Sequence, residues 1–209
     1  MQHRLLAVVG AVALIAVGCD DGVPDLDTEP AAERIRALLD ANGADVDLDE
    51  CPVADFSTLL ADSFELLDDQ LVRDALVGAS RSTTFSTDST PAAGIACELV
   101  DESGATAGFV FLDAPADLAA FTSDLATGSL DGVTVDVDES RLYRGGRFHR
   151  VCADADTSAL DSCAVDWLDD DVMIGVFATG EGAIEIDVDD LQERFEYLLP
   201  TIVERLGDD

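Results

Sequence analysis

The chain has 209 residues, of which 48% are hydrophobic, and its 45 acidic and 11 basic residues give a formal net charge of −34. This hydrophobic content is enough for one folded domain and excludes a disordered acidic tail. The negative charge repels polyanions, so it excludes nucleic acid as a partner.

The N-terminal residues predict export and a lipid anchor. Residues 5–17 have no charged side chain, but they are too few to span a bilayer, which takes about 20 apolar residues. They fit a secretory signal peptide, which we place at residues 1–18. The stretch Ala16-Val17-Gly18-Cys19 resembles a bacterial lipobox, in which the cysteine is acylated and becomes the new N-terminus. Ordinary cleavage after Ala16-Val17-Gly18 is the alternative.

These features predict the domain organisation and the location. Residues 19–28 are expected to be a lipidated cysteine with an acidic tether, and residues 29–209 a single domain. We expect a palmitate-bearing lipoprotein on the extracytoplasmic face of the cell membrane, with the membrane as its partner through the lipid. The chain is strongly acidic, and all 11 of its Lys and Arg residues are arginine. This composition resembles that of proteins from salt-adapted, halophilic organisms with high-GC genomes.

The cysteines support this interpretation. Five are present, and an odd number in an exported protein requires an explanation. If Cys19 carries lipid, four remain, and an oxidising compartment favours two disulfides among them. Three pairings are open; we favour Cys51–Cys97 and Cys152–Cys163, which keep each bridge within one half of the chain. A zinc site is the alternative, but no C-x-x-C pair is present, and we predict no metal and no cofactor.

The first half of the domain is predicted to begin with helices. Thr28 is expected to cap a helix that ends at Asn42-Gly43. Apolar residues at helical spacing predict a second helix from Pro52 to Leu67 and a third from Asp68 to Val77. A short strand is expected around Phe85.

From residue 94 the apolar period becomes that of strands, and two hairpins are predicted. Asp113 and Pro115 should open a further helix, and a long C-terminal helix should be kinked or split at Pro200. This arrangement predicts an α+β fold, with an antiparallel sheet and helices packed on one face. The strands are expected at Ile95–Val100, Ala107–Leu112, Val133–Val137, Arg141–Val151, Ala164–Leu168 and Val172–Ala178, with a short one at Ile184 and Ile186.

The layout resembles a family of small proteins. The lipobox, the helix led by Cys51-Pro52 and the strand led by Cys97-Glu98-Leu99 are similar to cell-wall lipoproteins of actinobacteria. They also look like the extracellular sensor domains of some actinobacterial receptor kinases. The resemblance covers most of the mature chain in layout and implies no particular site residue.

An arginine cluster is the main local anomaly. Arg141, Arg144, Arg147 and Arg150 fall within ten residues of an acidic chain. A two-residue turn at Gly145-Gly146 would place Arg144 opposite Arg147 and Arg141 opposite Arg150, where like charges repel. Either the segment is one bent strand, or something anionic lies between the arginines. That could be neighbouring acids or a small anionic ligand.

No catalytic constellation is recognisable. His149 is the one histidine left after signal cleavage, and no G-x-S-x-G elbow accompanies it. We therefore expect a non-enzymatic binding or sensing module of the cell envelope, with an envelope protein or a small anionic molecule as partner. The alternatives are an extracellular hydrolase that uses His149 or a carboxylate pair, and a structural envelope protein without a small ligand.

Overall fold

The computed structural model of the protein describes residues 23–43, 46–63, 77–86, 91–100, 106–113, 134–154, 161–180 and 188–208. These ranges contain three helices and seven strands, which form an antiparallel sheet with helices packed against it. The α+β fold is therefore as predicted. The helices are α1 (Glu29–Asn42), α2 (Phe56–Ser63) and α3 (Val188–Gly207), and the strands are β1 (Val77–Ser86), β2 (Pro91–Val100), β3 (Thr106–Asp113), β4 (Thr134–Tyr143), β5 (Gly146–Asp154), β6 (Asp161–Leu168) and β7 (Val172–Gly180).

The sheet consists of two meanders that meet at one seam. Its strand order is β1-β2-β3-β7-β6-β5-β4, and every neighbouring pair is antiparallel. Sequential strands pair within each meander, whereas β3 and β7 pair across the seam. Helix α1 contacts β2, β3 and β7, so it bridges that seam on one face of the sheet.

The main core lies between this face and the helices. Strand alternation places the side chains of β2, β3, β5, β6 and β7 on it at every second residue, which matches the apolar pattern of the sequence. A smaller cluster of Val110, Leu112, Leu168 and Met173 lies on the opposite face. The largest fully buried side chains are Trp167, Phe109, Phe111, Phe148, Phe195, Ile35, Leu60, Ile95, Leu112, Ile174 and Leu199.

Helix α1 begins and ends where the sequence predicted, but Thr28 does not cap its first turn with the side chain as expected. It begins after Thr28 and ends at Gly43, which adopts a φ of 81° and donates its N–H to the carbonyl of Leu39 at 2.8 Å. The Thr28 side chain makes no capping bond; its hydroxyl donates to the carboxylate of Asp169 instead.

Helix α3 was predicted to be kinked or split at Pro200, and it is not split. It runs without interruption from Val188 to Gly207 with Pro200 inside it. Proline removes the N–H that would bond to the carbonyl of Glu196, four residues earlier. The hydroxyl of Tyr143 donates to that carbonyl at 3.1 Å, so the missing helical bond is replaced from the sheet.

The β4–β5 turn lies one residue earlier than predicted. Arg144 and Gly145 form it, with φ angles of 49° and 89°, and Tyr143 pairs with Gly146 across it. Gly146 is needed in the strand, because a Cβ there would lie 2.3 Å from the indole of Trp167. The register also shifts between Glu139 and Leu142, which indicates a bulge in β4.

This turn corrects the predicted pairing of the arginines. Arg147 pairs with Leu142, and Arg150 pairs with Asp138, so neither stands opposite another arginine. The repulsion that argued for an anion between them is therefore absent from this hairpin.

One disulfide is present among the side chains that the structure describes, not the two that were predicted. It joins Cys51 to Cys97, one of the favoured pairs, and ties the loop before α2 to β2. Cys152 and Cys163 occupy directly opposite positions of β5 and β6. Their side chains are not among those described, so the second bridge stays a prediction.

Several predictions lie outside the described residues. They concern the N-terminal signal peptide and the lipidated Cys19, most of the third predicted helix, and the helix expected after Pro115. The continuation of α2 to Leu67 and the strand at Ile184 and Ile186 also fall there. Strand β1 begins at Val77, where the third helix was expected to end.

Candidate functional site

A cleft of about 490 Å³ lies at one end of the sheet, where three separate parts of the chain meet. One wall is the segment before and at the start of α1, a second is the β4–β5 hairpin, and the third is the β6–β7 loop. The lining residues are Asp25, Leu26, Asp27, Thr28, Glu29, Leu142, Gly145, Arg147, His149, Leu168, Asp169, Asp170 and Asp171.

The first wall is held in place by specific hydrogen bonds. The N–H of Leu26 donates to the carbonyl of Arg144 at 3.0 Å, and Nε of Arg144 donates to the carbonyl of Pro24, also at 3.0 Å. The buried Thr28 donates its hydroxyl to Asp169. Residues 24–28 were assigned to the tether from the sequence; in the structure they contact both hairpins and form part of the site.

Asp169 organises the third wall. Its Oδ1 accepts the N–H of Asp171 at 2.8 Å and that of Val172 at 2.9 Å, which closes the β6–β7 loop as an Asx turn. Its other oxygen accepts the Thr28 hydroxyl. The carboxylate of Asp169 is therefore structural, while Asp170 beside it is exposed.

The electrostatic character of the cleft is strongly acidic. Among the described lining residues, six carry a carboxyl group, one (Arg147) carries a guanidinium and one (His149) carries an imidazole. Leu26, Leu142 and Leu168 supply apolar surface between them. Such a lining opposes a simple anion and favours a positively charged ligand with an apolar part.

His149 and Asp166 are two buried polar residues; His149 is among the residues that line the cleft, and Asp166 is not. His149 lines the cleft with 8% of its surface exposed, and Asp166 stands directly opposite it in the β5–β6 register with 6% exposed. Burial raises the pKa of Asp166 to about 7, and no ion pair or hydrogen bond contributes to the pKa of that carboxyl.

Gly175 makes room for Asp166. A Cβ on Gly175 would lie 2.2 Å from Oδ1 of Asp166 and 2.8 Å from a methyl group of Val110. The carboxyl group therefore rests over a glycine backbone and against an apolar side chain. His149 was a candidate from the sequence, whereas Asp166 was not, although it is an acid inside the apolar run from Ala164 to Leu168.

The four arginines of the predicted cluster do not form one surface in the part of the chain that the structure describes. Arg150 lies on the helix side, where its Nε donates to Gln192 at 2.6 Å and its guanidinium pairs with Asp189 at 2.6 Å. Arg144 holds Pro24 at the turn, and Arg147 lines the cleft. Arg141 lies in the irregular stretch of β4, and its side chain is not among those described.

The described residues offer no arrangement of three or more His, Cys, Asp or Glu side chains suited to a metal ion. None of their helices is both long enough and apolar enough to cross a bilayer. The described residues that line the cleft include a histidine and carboxyl groups, but no serine or cysteine.

No protein-family model, curated protein or solved structure matches the chain.

Proposed function

We propose that this protein is an exported lipoprotein, anchored through Cys19 to the outer face of the cytoplasmic membrane, and that it is a non-enzymatic binding or sensing module. The observation that carries the binding role is the cleft. Three parts of the chain that are distant in sequence build it, and its walls are held by hydrogen bonds rather than left open by poor packing.

The position of the cleft fits an anchored binding module. Four residues lie between Cys19 and Pro24, and the five residue steps correspond to at most about 18 Å of extended chain. The wall formed by residues 25–29 follows directly. A lipid on Cys19 would therefore hold the cleft close to the membrane surface. The Cys51–Cys97 disulfide supports an oxidising, extracytoplasmic environment.

The anchor is tested by comparing the native protein with a Cys19→Ser variant after cell fractionation. The native protein should sediment with membranes, and its N-terminal peptide should carry acyl chains by mass spectrometry. The variant should be found in the soluble or secreted fraction. Equal membrane association of both proteins would contradict the anchor.

The binding role is tested by titrating the soluble domain with small molecules of differing charge and following backbone amide NMR signals. Shifts confined to residues 25–29, 142–149 and 168–171 would support the proposal. A Leu142→Trp variant should weaken them, because residue 142 is 69% exposed and a larger side chain there would narrow the cleft without disturbing the core.

A hydrolase is the second candidate, because His149 lines the cleft with the buried carboxyl of Asp166 opposite. If it is correct, the domain should hydrolyse an activated ester such as p-nitrophenyl acetate faster than a His149→Ala variant does. Equal rates, together with cleft-localised binding, would favour the binding module. A structural envelope protein would show neither.

A further inference from the structure

We infer that the tip of the β4–β5 hairpin and the strap before α1, residues 23–28, form a membrane-contacting end of the domain. On this end, Val23 and Leu142 enter the headgroup region of a zwitterionic lipid bilayer. The inference rests on the proposed anchor at Cys19 and adds the surface through which the anchored protein meets the membrane.

The first argument is the place at which the chain leaves the domain toward Cys19. Nε of Arg144 donates to the carbonyl of Pro24 at 3.0 Å, and the N–H of Leu26 donates to the carbonyl of Arg144, also at 3.0 Å. Leu26 packs against the main core as well. The strap is thereby fixed to the hairpin turn. Because the five residue steps from Cys19 to Pro24 span at most about 18 Å, an anchored domain keeps this turn near the bilayer.

The second argument is the apolar surface at the same end. Among the described residues, four large hydrophobic side chains are exposed, and two of them are Val23, with 43% exposed, and Leu142, with 69% exposed. Val23 precedes Pro24, and Leu142 lies two residues before Arg144, so both flank the hydrogen bond that holds the strap. Apolar side chains in this position gain free energy when they are buried at the boundary of headgroups and acyl chains.

The third argument concerns the kind of lipid. Residues 140–153 contain four arginines and no acid, although the chain has a net charge of −34. Arg144 and Arg147 of this stretch lie at the hairpin tip, and Asp25 of the strap lies against Gly145 between them. A zwitterionic headgroup offers a phosphate to the guanidinium groups and an ammonium group to the carboxylate. An anionic headgroup is opposed by the net charge of the chain.

The test measures the contact of residue 142 with lipid by tryptophan fluorescence. The mature protein is tethered at residue 19 to phosphatidylcholine vesicles by its own acyl chains. If Cys19 is not acylated, a histidine tag in its place binds a nickel-chelating lipid. Leu142→Trp supplies the probe, and the wild type gives the background from Trp167, which is fully buried.

Lipids brominated on their acyl chains should quench the added fluorescence of Leu142→Trp about twofold, because the indole reaches the boundary of the acyl chains. The wild type should show no change. Asp40→Trp is the matched control, since Asp40 is exposed on α1 about 16 Å along the helix from Glu29. Its fluorescence should not be quenched.

A longer tether separates a surface that binds lipid from one that is only held near it. About ten glycine and serine residues inserted between Asp20 and Asp21 allow the tethered domain to turn freely. Quenching of Leu142→Trp should persist in this variant and should decrease when Val23→Asn is added. Loss of quenching with the longer tether alone would show that the tip has no affinity for lipid, and the inference would be overturned.

The outcomes keep this inference apart from the proposed anchor. If Cys19 is not acylated but the tagged protein shows quenching at residue 142, the anchor fails and the membrane-contacting end stands. If Cys19 is acylated and Leu142→Trp is quenched no more than Asp40→Trp, the anchor stands and this inference fails. Phosphatidylglycerol vesicles at low salt should quench less than phosphatidylcholine vesicles, and stronger quenching there would overturn the zwitterionic surface.

Discussion

The hydroxyl of Tyr143 donates a hydrogen bond to the carbonyl of Glu196, which Pro200 leaves without its helical N–H donor. Tyr143 lies at the end of β4, and its ring packs on Phe148 at a centroid distance of 5.6 Å. Phe148 in turn makes an edge contact with Phe195 of α3. The β4–β5 hairpin, which forms one wall of the cleft, is thereby fixed to α3.

This relationship predicts a coupled pair of substitutions. Tyr143→Phe should lower the free energy of unfolding by about 1 kcal/mol, because a carbonyl at the helix loses its donor. In a Pro200→Ala background the same change should cost clearly less, since the alanine N–H can bond to Glu196. Urea unfolding of the four proteins gives the coupling energy. Strictly additive effects would contradict this account of how α3 tolerates its proline.

Gly146 should be highly intolerant of a side chain. Gly146→Ala places a methyl group against the indole of Trp167 and the backbone of Leu168, so we expect a loss of roughly 1–3 kcal/mol of stability. Gly43→Ala is the control: it meets no atom within 4 Å and carries only the cost of its positive φ. Thermal unfolding followed by the fluorescence of Trp167 measures both. A neutral Gly146→Ala would mean that the hairpin can shift away from the indole.

Asp166 predicts a particular pH dependence of stability. Its pKa in the folded protein, about 7, lies above the ordinary value of 3.8, so the folded state keeps the proton that the unfolded state releases. The contribution of Asp166 to the free energy of unfolding is complete below about pH 4. It is lost as the pH rises to 7, at up to about 1.4 kcal/mol per pH unit. The stability of the wild type minus that of Asp166→Asn should therefore fall between pH 4 and 7 and level off above. A flat difference would show that Asp166 is solvated.

The cysteines give a fourth prediction. The Cys51–Cys97 bridge closes a separation of 46 residues, which on the chain-entropy model corresponds to about 4 kcal/mol at 25 °C. A Cys51→Ala/Cys97→Ala variant should lose stability on that order.

Cys152 and Cys163 are expected to form a second bridge. Opposite residues of antiparallel strands have Cα atoms about 4.5–5.5 Å apart, which suits a disulfide. We therefore expect thiol titration of the unfolded, unreduced domain to find Cys152 and Cys163 oxidised as well; two free thiols would refute the second bridge.

The net charge of −34 predicts stabilisation by salt. The Debye length falls from about 10 Å at 0.1 M to about 3 Å at 1 M salt, which screens repulsion between the carboxylates. The melting temperature should rise over that range of sodium chloride. A constant or falling value would indicate that the acids are compensated locally, as Asp113 is by Arg36 at 2.7 Å.

The sequence predicted the elements better than it predicted their arrangement. Alternating apolar residues identified β3, β6 and β7 because strand alternation is local, and the ends of α1 followed from Thr28 and Gly43. The β4–β5 turn was misplaced by one residue because Gly145 and Gly146 both permit a turn. The packing of Trp167 on Gly146, which decides between them, is a tertiary contact.

The site could not be predicted because distant residues assemble it. The cleft joins residues 25–29 to residues 142–149 and 168–171, and no local pattern indicates that these segments meet. Its acids are unremarkable among 45. Asp166 acquires its character only from burial on a sheet face. The arginine spacing, by contrast, was conspicuous in the sequence, but the fold directs Arg144, Arg147 and Arg150 to different partners or surfaces.

The single β3–β7 seam has a consequence for the folding kinetics. Within each meander, the strands that pair are consecutive in the chain. Their pairing therefore closes only short loops and can form early. The seam pairs residues that are 59 (Asp113 with Val172) to 73 (Thr106 with Thr179) positions apart in the chain, so its loop-closure entropy opposes early pairing. We expect docking of the two meanders to limit the rate of folding. Substitutions at Phe109 or Val176, which face each other across the seam, should then slow folding more than equally destabilising changes within either meander.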